Sequence, residues 1–136
     1  MRADFPLKDK YGFDDLVKVM RVLRGPGGCP WDAQQTHESI RKNFIEETYE
    51  AIEAIDAADP VLLQEELGDV LFSAANVPRF LDCDAEEALD AATVKFVRRF
   101  REMERLAAQQ GCAVDDLSAA ELDKLWKRAK EVFTKR

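Results

Sequence analysis

Two short acidic stretches hold the residues best suited to chemistry. EETYE (46–50) places Glu47 and Glu50 three apart, and EELGD (65–69) repeats that interval with Glu66 and Asp69. If both stretches are helical, each pair projects from one face at the edge of an apolar arc. Phe44, Ala51 and Ile55 flank the first pair, and Leu63, Leu67 and Val70 the second. Glu46 and Glu53 point further toward solvent. Like charges one turn apart repel by about a few tenths of a kcal/mol per pair. Four carboxylates converging at the margin of a core repel far more strongly, unless they are protonated or neutralised by a cation. An all-oxygen donor set suits Mg²⁺, with Mn²⁺ as a substitute, better than zinc. A solvated helix face is the ordinary fate of a single ExxE. Its repetition in two neighbouring segments is what favours a metal site. A di-iron centre is rejected, because its helices carry Glu-x-x-His and the single histidine, His37, is placed in a loop.

The elements needed to position these acids read as helices, and the fold class is expected to be all-α, an antiparallel bundle of about five helices. Phe13, Leu16, Val17, Met20 and Leu23 follow helical spacing until RGPGG (24–28) stops them, and GCPWDAQQTH (28–37) reads as a loop. A second helix is expected from about Glu38 to Ala57, its apolar arc built from Ile40, Phe44, Ile45, Ile52 and Ile55. Asp59 and Pro60 read as the N-cap and first residue of a third, which Pro78 ends or kinks. The short turn between them makes these helices antiparallel neighbours, so that Glu50 and Glu66 can face each other. Asp84 with Glu87 is a capping-box signature for a long fourth helix that stops at Gly111. Ser118 with Glu121 opens a last helix bearing Leu122, Leu125, Trp126, Ala129 and Val132.

The chain has 136 residues, enough for one domain (1–136) with a single core. Its formal charge of -7 argues against nucleic acid or an anionic membrane surface as the main partner. An anionic substrate then needs a cation as go-between. Cys29, Cys83 and Cys112 are odd in number and dispersed, as reduced thiols of a cytoplasmic protein would be. No apolar run reaches membrane-spanning length, and MRADFPLKDK lacks the apolar segment of a signal peptide. GPGG is not a phosphate-binding P-loop, since no Gly-Lys-Ser/Thr follows it.

GCPWD, QTH, EETYE and EELGD in this order, followed by KFVRRFREME (95–104) and ELDKLWKRAK (121–130), resemble the MazG nucleotide pyrophosphohydrolases of the all-α NTP pyrophosphatase superfamily. The resemblance covers nearly the entire chain. It implies a Mg²⁺-dependent hydrolase that cleaves a nucleoside or deoxynucleoside triphosphate between the α and β phosphorus, releasing a monophosphate and pyrophosphate. By motif match Glu47, Glu50, Glu66 and Asp69 are the expected metal ligands. Glu46, in a doubled position of the motif, is the candidate for orienting or deprotonating the attacking water. The resemblance also assigns Lys95, Arg98 and Arg99 to the triphosphate and Trp126 to the nucleotide, and it implies a homodimer that completes core and pocket.

Each of these residues has a plainer reading: a solvated basic helix face for Lys95, Arg98 and Arg99, and a core anchor for Trp126. Asn76, on the Glu66 and Asp69 face, either hydrogen-bonds sugar or phosphate or caps the backbone near Pro78. Cys29, Pro30 and Trp31 read as a packed loop or as a lid over the base. The front of the chain resembles the N-terminal module of two-module MazG proteins, whereas KFVRRFREME and LDKLW are closer to the C-terminal one. A narrower enzyme for dUTP, dCTP or a phosphoribosyl nucleotide, and a non-catalytic helical module that senses nucleotide, are the rival functions.

Overall fold

The computed structural model describes residues 4–134. Among them are six α-helices and no strand: α1 (Phe13–Arg24), α2 (Pro30–Ala33), α3 (His37–Asp56), α4 (Pro60–Asn76), α5 (Ala85–Gln109) and α6 (Ala119–Thr134). Among the described residues no helix is long and apolar enough to cross a membrane. The chain divides into two compact units, one up to Ala88 and the other from Leu89 onward.

In the first unit α1 begins where Asp15 accepts the Gly12 N–H at 2.8 Å, and its carboxylate also takes the Lys8 ammonium at 2.6 Å. These two bonds hold the Asp15 carboxyl below its ordinary pKa, the Lys8 bond first. After α1 the chain folds back so tightly that a Cβ on Gly28 would lie 2.3 Å from the Val22 carbonyl oxygen, so only glycine fits there. The segment expected as a loop contains the short α2, started by Pro30 in the first helical position, where its missing N–H costs nothing.

His37 is the first residue of α3 and not part of a loop, and its ring sits edge-on to Phe80 at 3.9 Å. Thr36 and Ser39 cap this helix reciprocally: Ser39 N–H donates to Thr36 Oγ1 at 3.2 Å, and Thr36 N–H to Ser39 Oγ at 2.9 Å. Asp59 caps α4 as its sequence implies, accepting the N–H groups of Val61 and Leu62 at 3.1 Å each. Ala58 adopts φ 51° in the turn between α3 and α4, an uncommon conformation for a residue with a Cβ. Pro78 stands in a 3-10 turn, Val77–Phe80, that follows α4 directly.

Val17, Met20, Ile40, Ala54 and Ala75 are buried in this unit. The α3 arc is not. Ile45 and Ile52 are exposed, Ile55 is 59% exposed, and Leu67 and Leu71 on α4 are half exposed. Helical period alone marks such positions as apolar without saying what covers them.

The second unit packs α5 on α6 through Met103, Leu106, Ala107, Leu125 and Ala129. Both expected capping boxes form. Asp84 N–H donates to Glu87 at 2.8 Å and Glu87 N–H to Asp84 at 3.0 Å, while Ser118 and Glu121 exchange bonds of 2.8 and 3.2 Å. Gly111, at φ 76°, takes the left-handed conformation that stops α5.

Candidate metal centre and adjoining pocket

The acids come together through the antiparallel register of α3 and α4. Asn43 Nδ2 donates to Ser73 Oγ at 3.1 Å across the two helices. One turn further along α3 and one turn back along α4, Glu47, Glu66 and Asp69 each offer a carboxylate oxygen within 4.8 Å of one another. Glu50 lies near enough to Glu47 and Glu66 for its charge to act on both. Burial, followed by the charge of Glu50, raises the Glu66 carboxyl above its ordinary pKa. Glu47 is raised by burial first, then by Glu50, Asp69 and Glu46.

One oxygen of Glu47 and one of Glu66 are shut off from solvent without a hydrogen-bond partner. A buried carboxylate oxygen left in that condition carries a substantial desolvation cost. A hard divalent cation would meet it, since the donors are all oxygen, close together and collectively negative. The residues therefore fit Mg²⁺ or Mn²⁺.

Glu47 and Asp69 also line a pocket of about 490 Å³ together with Trp31, Asn43, Ser73 and Asn76, a size suited to a small ligand. Glu46 is exposed on its wall and lies 4.0 Å from Lys42, a loose pair one helical turn apart. The Asn76 side chain does not cap the turn that follows it, and its Oδ1 is buried without a partner. Trp31 is 73% exposed and so is not packed into its loop.

Residues 35–104 match the MazG nucleotide pyrophosphohydrolase domain. This chain belongs to the MazG family. A Thermotoga maritima protein named nucleoside triphosphate pyrophosphohydrolase/pyrophosphatase MazG is 26% identical, with 87% of this chain and 95% of that protein covered. An Escherichia coli nucleoside triphosphate pyrophosphohydrolase is 37% identical over 68% of this chain, which spans only 35% of that protein. The crystal structure of a mazG-related protein from Thermotoga maritima superposes with a TM-score of 0.61 at 28% identity, covering 87% of this chain and 98% of that one.

The remaining candidates of this MazG chain lie in the second unit. Lys95 and Arg98 are exposed, and among the described residues neither they nor Arg99 form an ion pair. Arg99 is half-buried, and its Nε has no partner. Trp126 packs against Phe96 with ring centroids 5.5 Å apart and against the α5–α6 core, yet stays partly exposed. Its plainer reading as a core anchor therefore describes part of the ring.

Reasoning from sequence passed over Asn43 and Ser73. A signal existed: each lies four residues from a predicted ligand, Asn43 before Glu47 and Ser73 after Asp69, and so shares its helix face.

Proposed function

We propose that this chain is a Mg²⁺-dependent nucleoside triphosphate pyrophosphohydrolase, with Mn²⁺ as a substitute, acting as one domain over residues 1–136. It cleaves ribo- or deoxyribonucleoside triphosphates between the α and β phosphorus to give a monophosphate and pyrophosphate. The observation that carries this reading is the pair of buried, unpartnered oxygens on Glu47 and Glu66, two residues whose carboxylates gather with that of Asp69 within 4.8 Å, inside a MazG domain.

Glu47, Glu50, Glu66 and Asp69 hold the cation. When bound, that cation neutralises the polyphosphate and lowers the pKa of a coordinated water. Glu46, on the wall of the adjoining pocket, orients the attacking water or takes its proton. Lys95, Arg98 and Arg99 bind phosphate oxygens, and the unpartnered Nε of Arg99 has an N–H to give. Trp126 contacts the nucleotide with the part of its ring left uncovered, and Asn76 offers its buried Oδ1 to a sugar hydroxyl.

A homodimer accounts for the exposed apolar face of α3 and α4, where Ile45, Ile52, Ile55, Leu67 and Leu71 stand uncovered by the described residues of their own unit. The enzyme works in the cytoplasm, where its three cysteines stay reduced. Incubation of the purified protein with each common triphosphate and Mg²⁺, followed by identification of products, tests the reading. Monophosphate with pyrophosphate is expected. Diphosphate with orthophosphate, or no reaction, overturns it. Glu50→Gln is expected to abolish turnover with the helical circular-dichroism signal unchanged.

A further inference from the structure

Arg79 and Asp32 form a buried pair 47 residues apart in sequence, each side chain only 7% exposed. Arg79 Nη2 donates to the Asp32 backbone carbonyl at 2.6 Å, and Nη1 lies 3.4 Å from the Asp32 carboxylate. The guanidinium therefore holds both the main chain and the side chain of Asp32. Arg79 sits in the turn that directly follows α4, the helix carrying Asp69 and Asn76. Asp32 is the neighbour of Trp31, which lines the pocket shared with Glu47 and Asp69 and exposes most of its ring.

A buried ion pair is a poor way to gain stability, because the desolvation of two charges offsets most of their attraction. This one is also incompletely satisfied, with Asp32 Oδ2 and Arg79 Nη1 left without hydrogen-bond partners. What a planar guanidinium provides that an apolar contact does not is fixed geometry between two separate segments. An exposed tryptophan on the segment so fixed gains no burial from the fold.

We propose that Asp32 and Arg79 are positioning residues: their clasp holds Trp31 at the rim of the pocket, where the indole stacks on the base of the nucleotide. This rests on the pyrophosphohydrolase reading above. The clasp divides the work of the site, with the acids of α3 and α4 serving the phosphate end and the α2 segment serving the base.

Steady-state kinetics on the best cleaved of ATP, GTP, CTP and UTP, with Mg²⁺, separates these roles. Trp31→Ala removes an exposed ring and leaves the buried clasp in place. It is expected to raise KM roughly tenfold while kcat stays within about twofold, as loss of ground-state stacking requires. Trp31→Phe restores most of the KM. Arg79→Lys keeps the charge but cannot span both Asp32 atoms, so it is expected to raise KM toward the Trp31→Ala value. The double variant Trp31→Ala/Arg79→Lys is expected to be no worse than Trp31→Ala alone, because the arginine acts through the ring. An unchanged KM in Trp31→Ala, a matching fall in kcat, or effects that multiply in the double variant each overturn the clasp alone. A wild type that cleaves none of the four triphosphates overturns the pyrophosphohydrolase reading and the clasp with it.

Discussion

Asn43 on α3 hydrogen-bonds Ser73 on α4 at 3.1 Å, one helical turn from the place where Glu47 meets Asp69. This bond fixes the sliding register of the two helices that carry the acids. Ser73 is buried, so deleting its hydroxyl removes the partner of the Asn43 amide across the two helices. Ser73→Ala is expected to cost about 1 kcal/mol in urea unfolding. Asn43→Ala combined with it should cost less than the sum of the two single changes. Full additivity of the two would show that the bond carries no weight in the register.

The acidic group predicts a cation-dependent stability. In wild type, Mg²⁺ at about a hundredfold over its Kd is expected to stabilise the fold by about 2.7 kcal/mol, a rise in Tm of several degrees. Glu47→Gln removes a charge at the centre of the group and is expected to abolish that rise. A wild-type melt insensitive to both Mg²⁺ and Mn²⁺ would contradict the assigned site.

Ile55 is more than half exposed on α3, and Leu67 and Leu71 are half exposed on α4. If a second copy covers this face, Ile55→Asp buries an unpaired charge in the dimer but costs little in the monomer. Sedimentation velocity is expected to show a dimer for wild type and a monomer for the variant. Equal mass for the two would mean that Ile55 lies outside any interface.

The elements were legible where local chemistry decides them. Asp59 with Pro60, Asp84 with Glu87 and Ser118 with Glu121 all cap helices as their types require, because a cap is settled within four residues. The facing of Glu50 and Glu66 was legible too, since a short turn leaves two amphipathic helices little choice of register. The one-turn helix at Pro30–Ala33 was missed, being too short to show a period. Tertiary contacts were hidden for a different reason. Nothing local links Asp32 to Arg79, and an apolar Ile52 or Ile55 reads the same whether its own chain or another covers it. The GCPWD segment read as a packed loop or as a lid, and the structure buries its Asp32 and exposes its Trp31.

The acids also set how the metal-free protein responds to pH. Burial and the charge of Glu50 raise the carboxyls of Glu47 and Glu66 above the ordinary 4.5. A group raised by folding contributes stability that is complete below its unfolded pKa and is lost as pH rises through its folded one. Metal-free wild type should therefore gain stability as pH falls from about 8 toward about 5. Asp15 and Asp84, held low chiefly by the Lys8 bond and by a backbone N–H respectively, act in the opposite sense, but only as pH falls below their ordinary 3.8. The two windows do not overlap. Because the falling net charge of an acidic chain also favours the fold, the informative quantity is the difference from Glu66→Gln, which is neutral at every pH. In EDTA that variant is expected to melt above wild type at pH 8, with the gap closing toward pH 5. Saturating Mg²⁺ should reverse the order at pH 8, because the cation requires the charge that folding alone disfavours. A Glu66→Gln variant that melts below wild type at pH 8 in EDTA would show that Glu66 is charged without cost, and the case for a cation at this position would fail.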